Sequence, residues 1–175
     1  MISNNNDTPE ICGLTTNNDS EQYEQGPISY DDLKSRDTRA LIFHLLYAME
    51  CLDYTVSLNS IVDNFNRGFE LAIPTDSKVF IIAQSIIDNR EALDKMILPL
   101  LVNWRFDRIG VCTKLILRFA LWELTEIKTV HSIVINEAIE LAKCFAEHDA
   151  YKFVNGVLDE AVKKMGLQAP ESQSV

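Results

Sequence analysis

Residues 133–164, IVINEAIELAKCFAEHDAYKFVNGVLDEAVKK, decide the fold. Ile135, Ala138, Ile139 and Ala142 recur at i, i+3, i+4 and i+7, with Asn136, Glu137, Glu140 and Lys143 opposite them, which is the apolar stripe of a helix lying on a core. Val154, Val157, Leu158, Ala161 and Met165 repeat the pattern in a second helix. Asp149 stands where that helix needs an N-cap, and Gly166 stands at its C′ position. Only Glu147-His148-Asp149 lies between the two stripes, so the helices are expected to be near-antiparallel neighbours joined by a tight turn.

Upstream, the same periodicity continues. Val111 to Thr125 carries two apolar sets, Cys112, Leu115, Ile116 and Phe119 with Leu117, Ala120, Leu121 and Leu124, and a helix so apolar around its circumference belongs at the centre of a bundle. Further helices are expected from Ser35, over Ser57–Phe69 with Ser57 as cap, over Asp76–Asp88, and over Arg90–Leu101 with a kink at Pro99. Asn103 to Asp107 reads as a connector. No segment alternates with period two, so the reading is an all-α domain of about seven helices. In the first helix Arg36, Arg39, Phe43 and Tyr47 fall on one stripe, with Glu50 one turn on weakening its field. Gly156 inside the last helix reads as a close-packing position and Asn155 as a hydrogen-bonding one.

Composition sets the outer limits. A chain of 175 residues with 47% hydrophobic content fits one domain with a substantial core. We expect a disordered Asn-rich and acidic extension over residues 1–30, a folded domain over 31–166 and a disordered C-terminus over 167–175. Seven acids stand against Lys34 alone in residues 1–34, so −6 of the net charge of −10 lies there and the body is only mildly acidic. That leaves room for a local basic face. Apolar runs are too short to span a bilayer and no signal peptide is visible, which points to a cytoplasmic protein without a membrane role. Cys12, Cys51, Cys112 and Cys144 show no CxxC spacing and read as reduced thiols.

Catalytic and metal chemistry finds little support. Glu123 with Glu126, and Glu137 with Glu140, are carboxylates one turn apart but lack the Glu-x-x-His element of a di-metal bundle. Cys144 and His148 share ligand spacing, yet two further ligands are not evident. There is no P-loop, GxSxG or HExxH, so no enzyme, cofactor or metal is expected. His44 and His131 read as packing and loop residues.

Four runs together resemble one family: INEAIELAKCF (135–145), KFVNGVLDEA (152–161), LILRFALWEL (115–124) and NWRFDRI (103–109), the last keeping a Trp-x-x-Asp-Arg-Ile pattern. Over about Ser35 to Lys164 the chain is similar to the bacterial transcription antitermination factor NusB family. The resemblance implies two packed three-helix bundles and a binding activity. The RNA partner it implies is the boxA element of nascent single-stranded RNA. The protein partner is NusE, a small ribosomal protein that links to the RNA polymerase elongation complex and promotes processive ribosomal RNA transcription. The family includes monomers and homodimers, so a homodimer stays open, and the NusE contacts stay unassigned.

Carried over by residue, the resemblance implies RNA contacts at Arg36, Arg39, Tyr47, Asp149, Lys152 and Phe153. Aromatic faces that stack on bases and cations that meet phosphates suit single-stranded RNA. Without the resemblance, Tyr47 and Phe153 read as core aromatics and the two arginines as a solvated face. Ser35 and Asp37 stand where basic residues are common in the family, which implies weaker RNA affinity or a heavier dependence on the partner. Thr113 stands at a commonly acidic position. Two alternatives follow: a protein-docking scaffold with weakened or lost RNA binding, and the NusB-like domain that precedes some ribosomal RNA cytosine methyltransferases. The latter needs a following Gly-rich Rossmann segment, which these residues do not contain.

Overall fold

A computed structural model describes residues 34–69 and 71–167; the expectations for residues 1–30 and, beyond Leu167, for the C-terminus lie outside the described residues. Seven α-helices and no strand occur among those described: α1 (Ser35–Cys51), α2 (Leu58–Phe69), α3 (Lys78–Asp88), α4 (Arg90–Ile97), α5 (Val111–Trp122), α6 (His131–Phe145) and α7 (Ala150–Lys164). α5 packs against α1, α3, α4, α6 and α7, so it is the shared centre on which the two bundles meet. Leu115, Ile116, Leu117, Phe119, Ala120 and Leu121 are all buried, as expected of a helix apolar on every side.

Local chemistry accounts for the helix ends. The Ser57 hydroxyl accepts from the Ser60 amide at 3.2 Å and caps α2. In α3 the cap is Ser77, which accepts from Phe80 at 3.2 Å, so that helix starts two residues later than Asp76. Pro99 ends α4 and the chain continues as a 3-10 turn over Leu98–Leu100. α5 runs into a π-helical turn, Glu123–Ile127, closed by left-handed Lys128. Gly166, at φ +66°, ends α7: its amide donates to the Lys163 carbonyl and that of Leu167 to the Val162 carbonyl, each at 3.1 Å.

α6 and α7 form the most extensive helix pair, joined through the turn at Glu147-His148-Asp149. Two details differ from the sequence reading. The buried stripe of α6 is Val134, Ala138, Leu141 and Ala142, whereas Ile135 and Ile139 are only half-buried, because α6 packs against α5 as well as α7 and the stripe turns toward both. Asp149 occupies the N-cap position of α7 in a left-handed conformation, φ +66°, and its side chain caps no amide.

Gly156 is the third difference. A Cβ there would meet nothing within 4 Å, and the residue is exposed, so it is not a close-packing position. Gly156→Ala is therefore expected to stabilise the domain by about 0.5–1 kcal/mol, read as a higher urea midpoint with unchanged slope. Asn155 does form a hydrogen bond, donating from Nδ2 to Asp159 at 3.1 Å.

Candidate nucleic-acid interface

The arginine-aromatic stripe of α1 does not present one uniform face. Arg36, at the exposed N-terminal end, has its side chain 60% exposed and lies 3.7 Å from Glu137. Arg39 turns inward: its side chain is only 15% exposed, and Nε and Nη2 donate to Glu123 Oε1 at 3.1 and 2.8 Å. Glu123 is itself buried, in the π-helical turn after α5. A carboxylate that holds a guanidinium in this fork leaves little of it for a phosphate, and the pair ties α1 to the π-helical turn after α5. This pair also lines a cleft of about 330 Å³ with Ile42, Lys78, Ile82 and Phe119. Glu50 does not weaken the stripe either, because it turns to Arg118 at 2.9 Å.

Further along α1, Phe43 is buried and Tyr47 is 42% exposed. The rings form a ladder: Tyr47 lies 6.3 Å from Phe43, which stacks on Phe145 of α6 at 4.7 Å. Phe145 ends α6, so the ladder carries the exposed tyrosine to the α6–α7 turn. The nearby Cys51 thiol, and after it Cys112, hold the Tyr47 hydroxyl's pKa above the ordinary value.

On the other side of the turn, Lys152 pairs with Asp149 at 2.9 Å, which raises the lysine's pKa and lowers the aspartate's. Both side chains are well exposed. Lys143 and Lys152 each place an ammonium 5.7 Å from the Tyr151 ring centre. Phe153 is half-buried, packed against the core, and Trp104 lies against its ring, with ring centres 5.0 Å apart and planes inclined at 55°. Trp104 is 57% exposed. It sits in the connector before α5, just after Asn103 in a left-handed turn at φ +62°. Arg105, exposed and paired with Asp107 at 2.7 Å, follows it, and Lys114 stands 5.4 Å over Phe106.

The fold thus draws Tyr47, the 147–149 turn, Lys152, Phe153 and Trp104 around the N-terminal end of α5. Arg36 stands apart, eleven residues before Tyr47 on α1, at a groove lined by Glu137, Glu140, Leu141 and Phe145. Trp104 carries no assignment from sequence. Its signal was present: a tryptophan in a polar connector, outside any apolar period and next to an arginine, has no core to enter. Among the described residues no group of three or more His, Cys, Asp or Glu could hold a metal, and no helix is long and apolar enough to cross a membrane. The described cysteines are unbridged, with Cys51 and Cys144 exposed.

His44 packs behind the ladder, with its ring centre 5.0 Å from Phe145 and Nε2 buried without a hydrogen-bond partner among the described residues. Burial lowers its pKa from the ordinary 6.5. The unfolded chain therefore takes up a proton before the fold does. Stability from this group is full above about pH 6.5 and is lost as pH falls toward the lowered folded value. Urea midpoints measured from pH 7.5 to 5 should fall less steeply for His44→Phe than for the wild type.

An all-helical domain with exposed aromatics and cations at one end of its central helix is the class that this fold and site define. The chain belongs to the NusB family, whose family model matches residues 36–163. A transcription antitermination protein NusB from Geotalea uraniireducens is 36% identical over 132 residues, covering 71% of this chain and 91% of that protein. Another from a Cyanothece strain is 39% identical over 88 residues, covering 50% of this chain and only 42% of its own length. NusB of T. maritima matches in structure with a TM-score of 0.63 and 28% identity, covering 75% of this chain and 92% of that one.

Proposed function

We propose that this protein is a transcription antitermination factor that binds boxA-type single-stranded RNA together with NusE, and through NusE joins the RNA polymerase elongation complex on ribosomal RNA operons. The observation that carries the RNA reading is the Trp104–Phe153 pair with Lys152 beside it, exposed at the end of α5. A half-exposed indole braced by a second ring presents a π-face to a base, and each stacked base contributes about 1–3 kcal/mol. Tyr47 extends the aromatic face, while Lys152 and Arg36 supply phosphate contacts whose strength falls with salt. Asp149, held to Lys152, aims the ammonium and limits the field. Family membership supports the antitermination role and the NusE partnership.

The test is RNA binding by fluorescence anisotropy at two salt concentrations, with boxA and scrambled oligonucleotides, with and without NusE. The expected result is preferential boxA binding that tightens with NusE and weakens with salt. Equal, negligible binding of both RNAs in the presence of NusE would overturn the reading and favour a protein-docking scaffold.

A further inference from the structure

We propose that Glu147 is a positioning residue, whose carboxylate reaches back from the α6–α7 turn to clasp the N-terminus of α5 and so holds Trp104 and Phe153 in register. The inference rests on the RNA reading for its functional consequence, and on the geometry alone for the clasp.

α5 begins without a cap of its own. Its N-cap is Gly110, which has no side chain, and its first turn contains no acidic residue. The first amides of a helix are unpaired and carry the positive end of its dipole, so a carboxylate is favoured there. Glu147 supplies one from 34 residues away in sequence: the buried Thr113 hydroxyl donates to Glu147 Oε2 at 3.1 Å. The same carboxylate fills the space beside Gly110. A Cβ on Gly110 would lie 1.6 Å from Glu147 Oε1 and 2.5 Å from its Cδ. Gly110 has φ −58° and ψ 151°, a conformation that any residue adopts. Backbone freedom therefore does not require glycine at this position; what an added Cβ would displace is the Glu147 carboxylate.

The clasp lies between the two segments that build the aromatic pair. On one side the connector carries Trp104 and leads through Ile109 into Gly110. On the other the turn passes through left-handed Asp149, uncapped by its own side chain, and leads to Lys152 and Phe153. Beside the ring contact, the Thr113–Glu147 bond ties the turn to the first turn of α5, which follows directly on the connector. Releasing it frees the turn to swing and separates the rings that meet at 5.0 Å.

The experiment compares Glu147→Ala, Gly110→Ala, their double variant and Glu147→Gln in the full chain, by three measurements. They are the Trp104 indole N–H resonance of the free protein, its urea midpoint, and its affinity for a single-stranded boxA oligonucleotide. Glu147→Ala and Gly110→Ala should shift the indole resonance in the same direction and each weaken RNA binding about tenfold. The double variant should be no worse than either single one, because the alanine Cβ then meets no carboxylate. Glu147→Gln, whose amide oxygen still accepts from Thr113, should stay close to wild type. Additive losses in the double variant, or an unmoved indole resonance in Glu147→Ala, would overturn the clasp. If the wild type binds no RNA even with NusE present, the RNA reading fails, and the clasp is still decided by the indole resonance and the urea midpoints of the four variants.

Discussion

Arg118→Ala is expected to lose about 3–5 kcal/mol of stability in urea unfolding at pH 7, the largest effect of any single change considered. Arg118 lies in the middle of α5 with its side chain only 7% exposed. Its guanidinium grips Asp94 of α4 through Nε and Nη2 at 2.7 and 2.8 Å, and Nη1 donates to Glu50 of α1 at 2.9 Å. The Tyr54 hydroxyl also donates to Glu50, and Arg90 lies 4.5 Å over the Tyr54 ring. Truncating the arginine leaves two largely buried carboxylates facing each other without their cation, and that stranded charge, more than the lost attraction, sets the size of the effect.

Two controls separate this account from simple loss of packing. Arg118→Lys cannot reproduce the two-armed grip on Asp94 and should recover only part of the loss. Replacing Arg118, Asp94 and Glu50 together by leucine should recover most of it, because no charge is left unpaired. The acid limb gives a further check. For Glu50, burial raises the pKa most, but the Tyr54 hydrogen bond and the Arg118 charge together outweigh it, and the net shift is downward. A lowered carboxyl stabilises the fold above its ordinary value near 4.5 and loses that contribution as pH falls through the lowered one. The acid limb should therefore be shallower in Arg118→Ala.

Trp104→Ala is expected to produce the largest loss of RNA affinity, about 1–3 kcal/mol for the stacked base. The indole is the most open aromatic surface of the face and lies against the Phe153 ring. Removing it takes away one stacking plane and lets the second turn. Phe153→Ala should weaken binding too, and the double variant should lose less than the sum, since the rings act as a pair. Neither change removes a cation, so the slope of log K against log salt should stay at the wild-type value. Arg36→Ala should reduce that slope by about 0.7. Arg39→Ala should cost stability rather than slope, because its fork to Glu123 is satisfied within the protein. A wild-type salt slope for Arg36→Ala, or a reduced one for Trp104→Ala, would count against these roles.

The helices are legible in the sequence because their signals are local. Apolar residues three and four apart name the buried face, Ser57 and Gly166 mark ends by their own chemistry, and Pro99 stops α4 where its ring must. The misreadings arise where a residue's fate depends on a remote partner. Asp149 has a cap's chemistry but pairs with Lys152, and Gly156 invites a packing role that no neighbouring helix fills. Arg118 stands inside the run LILRFALWEL with no assignment from sequence, although a lone arginine amid apolar residues usually signals a buried partner.

The sequence by itself determined an all-helical domain, the antiparallel α6–α7 pair and the central place of α5, since hydrophobic period and helix ends are set by residues within a turn or two of each other. Only the tertiary structure decided which charged and aromatic groups are free to act. Arg39 meets Glu123 across 84 residues, Arg118 meets Glu50 across 68, and Thr113 meets Glu147 across 34. Separations of that size carry no periodicity, because such pairs form through the packing of whole helices rather than through the pitch of one.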